Sequence, residues 1–231
     1  MDILLTLEQR FECMPDGSVW TGGACNHEFF AKYRDVFDRV RVLARVRSVL
    51  RASPEARRAD GDGVSFSRIP PYVGPLEFAR GYPRIRAAAR DALRADEAVL
   101  LRVPSAIGSI LVARFEGSRR PFGVVVVGDP HDVFSPGAVR TPFLRLLRWW
   151  FVRNLRRQCR EATACRYVTE RTLQRRYPPG PQALAIHGSD IDLSAEAYAA
   201  NSRVFAAPVQ SPRIVTVGSL SQMYKGTDVL I

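Results

Sequence analysis

Lysine is nearly missing from this chain of 231 residues. Of 34 basic residues only Lys32 and Lys225 are lysine, and all the others are arginine. That skew reflects coding bias as much as selection for guanidinium chemistry. Histidine is scarce too, with only His27, His131 and His187. The four cysteines (Cys13, Cys25, Cys159 and Cys165) form no C-x-x-C pair. So few ligands at such spacings argue against a structural metal site, and Gly22-Gly23 lacks the G-x-G-x-x-G spacing of a dinucleotide site, so no cofactor is expected. Long apolar runs are absent: Val124-Val125-Val126-Val127 has strand length, far short of a membrane span. The segment Met1 to Leu7 lacks a basic stretch and is too short for a secretory signal. With 16 Gly and 16 Pro the composition is not collagen-like, and 46% hydrophobic residues exclude disorder. The chain therefore reads as a cytoplasmic protein with reduced thiols, large enough for one full domain and too small for two.

What is present is charge of one sign and an alternation of element types. The formal net charge is +11. Ile3 to Leu7 predicts a first strand. Val40 to Val46 alternates apolar and polar residues as a partly exposed strand does. Glu77 to Ala95 is rich in Ala, Arg and Leu and predicts a helix, followed by a buried strand at Ala98 to Leu101. Ser105 is placed to cap a helix running to Phe115. Phe122 to Val127 predicts a central strand closed by Gly128-Asp129-Pro130. Beyond it lie a long helix (Phe143 to Arg160), a strand (Cys165 to Thr169), a short helix (Glu170 to Tyr177) and a strand (Ala183 to Ile186). Strand–helix alternation at this spacing predicts an α/β fold, a Rossmann-like parallel sheet with helices on both faces.

Residues 208–212 have linker composition. They separate a domain at 1–207 from Arg213 to Gly218, a new strand ending in glycine, and a helix start after Lys225-Gly226. One strand and one helical turn cannot bury their own apolar faces. Residues 213–231 are therefore expected to begin a second, truncated Rossmann-like domain.

The ordered set Phe11-Glu12, Pro15-Asp16-Gly17-Ser18-Val19-Trp20, Gly128-Asp129-Pro130-His131-Asp132, Tyr167-Val168-Thr169-Glu170 and Val217-Gly218-Ser219-Leu220 with Tyr224-Lys225-Gly226 resembles the N-terminal half of a family 4 retaining glycosyltransferase. The resemblance covers essentially the whole chain. It implies the two-Rossmann-domain GT-B architecture. The N-terminal domain would hold the acceptor, the C-terminal domain the nucleotide-sugar donor, and transfer would occur in the cleft between them. It also implies that Lys225 and Gly218 contact the donor diphosphate, where Ser219 replaces the family's common arginine. The Gly22-Gly23 loop would approach donor and acceptor, and His131 would lie close to the transferred sugar. No metal is implied, because cationic side chains and helix N-termini can carry the diphosphate charge.

Each of these residues also has a plainer role. Lys225 is also an ordinary solvated lysine, Gly218 and Gly22-Gly23 are turn glycines, and Asp129 and Asp132 serve as turn formers or caps. Thr169-Glu170 is read as a helix-capping pair. At about 100° per residue, Phe143, Leu147, Phe151 and Leu155 fall on one helix face. Arg145, Arg153, Arg156 and Arg160 gather on the other, with Trp149 among them. That face suits either solvent or an anionic membrane surface, where a lipid-linked acceptor would be met.

The resulting expectation is a hexosyltransferase-type enzyme acting on a glycan, lipid-linked or small-molecule acceptor in polysaccharide or glycoconjugate biosynthesis. The 231-residue chain would be inactive alone. The alternative is a non-catalytic Rossmann-like remnant or binding module. Nucleic acid is not an expected partner, since aromatic–glycine RNA signatures and zinc-finger spacings are missing.

Overall fold

A computed structural model describes residues 1–115, 118, 120–135, 143–191, 195–199 and 201. The fold is α/β, built on one mostly parallel sheet. In chain order its elements are β1 (Asp2–Cys13), β2 (Val19–Thr21), α1 (His27–Ala31), β3 (Val40–Ser48), β4 (Arg57–Arg58), β5 (Val64–Ile69), α2 (Gly74–Asp91) and β6 (Glu97–Val103). After these come α3 (Ala106–Phe115), β7 (Gly123–Val126), α4 (Pro130–Val133), α5 (Leu144–Glu161), β8 (Ala164–Tyr167), α6 (Thr172–Arg176) and β9 (Leu184–His187). The parallel strands lie in the order β5-β3-β1-β6-β7-β8-β9. The order reverses direction at β1, so the β1–β6 gap is the topological switch point of a doubly wound sheet.

Period-two alternation sends side chains to two cores. Leu4, Leu101, Val103, Val124 and Val126 pack under α2, α3 and α5, against Ile85, Ile107, Leu111 and Leu155. Ile3, Leu5, Val40 and Val42 point the other way, against Phe30 of α1 with Phe29 and Tyr33 beside it. Helices thus cover both faces, as the alternation of elements predicts. Local chemistry starts them: Asn26 accepts the Phe29 amide at 3.2 Å, and Ser105 Oγ accepts the Gly108 amide at 2.9 Å.

Two expectations need correction. The first strand extends well past Leu7, because Phe11 and Cys13 continue its buried alternation and pair with a hairpin strand, β2. The Pro15–Trp20 motif supplies the turn of that hairpin, and its Val19 and Trp20 begin β2. Gly17 has φ of 87°, a conformation glycine favours, and Asp16 Oδ1 accepts both the amide and the hydroxyl of Ser18 at 2.9 and 2.6 Å. Strand β3 lies inside the sheet between β1 and β5: Arg41 and Arg45 are largely covered and ion-paired, and exposure is confined to its end, where Arg47 is 63% exposed. Arg41 binds Glu97 through two contacts of 3.0 and 2.8 Å, and the Glu97 side chain is only 1% exposed.

The linker at 208–212 and the second domain expected at 213–231 lie outside the described residues. Among the described residues no helix is long and apolar enough to cross a membrane.

Candidate functional site

Strands β1 and β6 pair from Asp2↔Glu97 to Thr6↔Leu101 and then separate. On its other side β1 keeps pairing with β3, but the register slips between Thr6 and Arg10. Such an irregularity bends a strand and re-aims a side chain. The side chain it places at the switch point is Glu8. Its Oε1 accepts from Ser105 Oγ at 2.8 Å and from the Ile107 amide at 3.0 Å, at the N-terminus of α3. Its Oε2 accepts from the Tyr72 hydroxyl at 2.7 Å and lies 3.4 Å from Arg45 Nε. Burial, and then the neighbouring Glu8 carboxylate, push the Tyr72 phenol well above its ordinary value, so it acts as a fixed donor.

One strand further along the sheet edge, β7 ends at Asp129-Pro130-His131-Asp132. Asp129 caps α4 by accepting the His131 amide at 2.9 Å, and Pro130 opens the helix where no amide donor is required. The other Asp129 oxygen binds Arg176 of α6, and the Tyr177 hydroxyl donates to the capping oxygen. Asp129 is therefore structural, as the plainer reading held. His131 is different: its side chain is 44% exposed and both ring nitrogens have partners. Nδ1 lies 3.0 Å from Asp132 Oδ1, and Nε2 meets the Arg148 guanidinium of α5. With Nδ1–H donating to Asp132, Nε2 is left as the acceptor. Asp132 also pairs with Arg176 at 3.0 Å. Its hydrogen bond to His131, reinforced by Arg176, holds its carboxyl below the ordinary range. The result is an oriented imidazole between two guanidinium groups at a sheet carboxyl edge.

Gly22 and Gly23 follow β2 and line a pocket of about 440 Å³ with Arg10, Arg45, Arg47 and Tyr72. The two glycines have different roles. A Cβ on Gly23 would lie 2.6 Å from the Gln9 side chain, which ties the loop together through Thr21 Oγ1 and the Cys25 backbone. A Cβ on Gly22 would meet nothing within 4 Å. This pocket joins the switch point through Arg45 and Tyr72, the residues that hold Glu8. His131 is not in contact with the glycines; the two stand at separate places along one edge.

On α5, Arg145, Arg153, Arg156 and Arg160 are exposed, and Trp149 is 59% exposed with Arg153 stacked at 5.9 Å from its ring centre. Leu155 is buried on the opposite face, as its spacing predicts. Phe143 departs from that face: it is the N-cap residue and 56% exposed. Thr169 caps α6, its Oγ1 accepting the Leu173 amide at 3.0 Å. His27 touches the Asp62 carbonyl, and His187 is exposed on β9. Gly218 and Lys225 lie outside the described residues. All four cysteines are buried free thiols. Among the described residues no group of three or more His, Cys, Asp or Glu side chains is placed to hold a metal.

Glu8, Arg148 and Arg176 are site residues that the sequence analysis did not single out. Glu8 directly follows the apolar run that marks the first strand, which is where a doubly wound sheet presents ligand-facing groups. Arg148 and Arg176 carry no comparable signal in an arginine-rich chain.

No family model matches the chain. The chain is similar to Protein CapJ of Staphylococcus aureus, with 26% identity over 154 residues. Those residues make up 66% of this chain and 38% of that protein. The chain thus spans well under half the length of the curated relative it matches.

Proposed function

We propose that this chain is the acceptor-side Rossmann-like domain of a retaining glycosyltransferase that uses a nucleotide-sugar and transfers a hexose-type sugar in polysaccharide or glycoconjugate biosynthesis. The observation that carries this reading is the His131–Asp132–Arg148–Arg176 cluster at the carboxyl end of β7, one strand from the switch-point crevice. Glycosyl transfer requires an acceptor hydroxyl held beside the anomeric carbon while negative charge grows on a departing diphosphate. Asp132 and Arg148 fix the His131 ring from its two nitrogens, so a substrate hydroxyl at this edge meets Nε2 in one orientation by taking the place of the Arg148 guanidinium. Arg148, bound to the same nitrogen, supplies a cation within reach of a substrate phosphate. Gly22 leaves space for close approach beside Arg10 and Arg47. Donor contacts are assigned, by the family resemblance, to Gly218, Lys225 and a second domain.

A panel of nucleotide-sugars tests this reading through release of the nucleoside diphosphate in the presence of acceptor. The 231-residue chain alone should give no turnover, because productive orientation accounts for about 7–11 kcal/mol of such barriers. Joined to a donor-binding domain it should turn over at least one donor, and Lys225→Ala should then lower kcat. Silence of the joined protein across the whole panel would favour a non-catalytic binding module instead.

A further inference from the structure

Between α2 and α5 lies a cleft of about 610 Å³, within the range of small-molecule sites. Its walls are Tyr72 and Phe78 on one side and Leu147, Trp150 and Phe151 on the other, with Pro104 beneath. Aromatic contacts brace both walls. Phe134 stacks on Phe151 at 5.1 Å, Trp150 meets Phe151 edge-on at 4.7 Å, and Tyr72 packs against Phe78 at 5.1 Å. Among the described residues the lone carboxylate on the cleft is Glu8, which sits at its inner end and already accepts from Ser105, Ile107 and Tyr72. The walls therefore have almost nothing to offer a polar guest. A sugar or nucleotide base placed there would lose its hydrogen bonds to water without replacement, an unfavourable exchange. A hydrocarbon chain would lose nothing and would cover the aromatic surface.

Charge fixes which amphiphile fits. Pro130 borders the inner end of the cleft. Its neighbour His131 is held there by Arg148, with Arg176 close by through Asp132. At the outer end Leu146 is 60% exposed and Trp149 59% exposed, flanked by the exposed Arg145 and Arg153. Arg176 there is matched by Asp129 and Asp132, so the cation this end offers a ligand is Arg148 beside His131, and the cleft runs from that arginine to an apolar rim on the arginine-bearing helix. We propose that it holds the hydrocarbon chain of an amphiphilic acceptor, with the acceptor's phosphate-bearing head at Arg148 and His131. The word acceptor rests on the glycosyl-transfer reading; the binding of the chain does not.

Trp150 lines the cleft and reports on it directly. Titration with n-alkyl phosphates of four to ten carbons, each below its critical micelle concentration, should shift tryptophan emission to shorter wavelength. Affinity should tighten roughly three- to four-fold per added methylene until the cleft is filled. Inorganic phosphate should produce no shift, and Trp150→Phe should remove most of it. Leu146→Glu on one wall and Pro75→Glu on the other should each weaken octyl phosphate binding at least ten-fold. Leu184→Glu, an exposed apolar site on the distant strand β9, should leave it unchanged. Arg148→Gln should weaken the phosphate but not the neutral octyl glucoside. An affinity independent of chain length, or a signal untouched by both wall variants, would overturn the proposal. If alkyl phosphates bind as described and no sugar is ever transferred, the cleft assignment stands and the transferase reading falls. If sugar is transferred to soluble acceptors and an alkyl chain has no effect, the transferase reading stands and the cleft assignment falls.

Discussion

Gly22 and Gly23 are adjacent in sequence, yet their surroundings differ: Gly23 is packed on the Gln9 side chain, and Gly22 has open space where a Cβ would stand. Gly23→Ala forces the Gln9 side chain to move and strains its hydrogen bonds to Thr21 and Cys25. It should lower the melting temperature by a few degrees, the size of a loss of roughly 1 kcal/mol. Gly22→Ala meets no protein atom, so melting should stay within a degree of the parent. If the loop approaches substrate, that same variant should raise KM several-fold in the joined enzyme. Equal melting losses for both variants would show that the two glycines do not differ. Asp190 gives a pH-dependent counterpart. Its hydrogen bond to Arg102, at 2.6 Å, holds its carboxyl below the ordinary range, with Arg166 adding to the effect. A depressed carboxyl contributes stability that is complete above its unfolded pKa, near 4, and lost as pH falls through the folded value. Urea midpoints measured from pH 6 downward should therefore drop less steeply for Asp190→Asn than for the parent; parallel curves would refute the linkage.

At the scale of elements, α5 carries two faces with different expected partners. Leu155, Gln158 and Cys159 are buried against the domain. The exposed Arg145, Arg153, Arg156 and Arg160 with Trp149 form a basic face suited to a surface of opposite charge. Anionic vesicles should bind the protein at low salt and release it at high salt. The triple change of Arg153, Arg156 and Arg160 to glutamine should weaken that binding by about 100-fold at low salt, at roughly 1 kcal/mol per basic residue. Equal binding to neutral vesicles would refute a charge-driven contact. Helix α5 was legible in the sequence because its apolar spacing is regular and long, and α3 because Ser105 marks its start. The β2–β4 pairing was not: strands of three and two residues have no measurable period. Arg41 misled for another reason. Polarity in one sequence shows only that a partner or water is required, and Glu97 lies 56 residues away. Glu8 shares that difficulty, since its partners Tyr72 and Ser105 are 64 and 97 residues distant.

For the molecule as a whole, the fold brings chemistry to one edge. The reversal of strand order at β1 opens the crevice that Glu8 enters, and the β7 terminus beside it supplies the oriented histidine. Loop, crevice and cleft share Tyr72 or its neighbour Arg45, so the three parts form one continuous surface. The central claim is that this edge is the acceptor side of a glycosyl-transfer site. Its most direct test is steady-state transfer by the chain joined to a donor-binding domain, comparing the parent with His131→Ala and Asp132→Asn. Both variants should lose about 10²-fold in kcat, the scale of removing one preorganised group at a reacting centre, while KM for the donor changes little. Rates within two-fold of the parent for both variants would contradict the account.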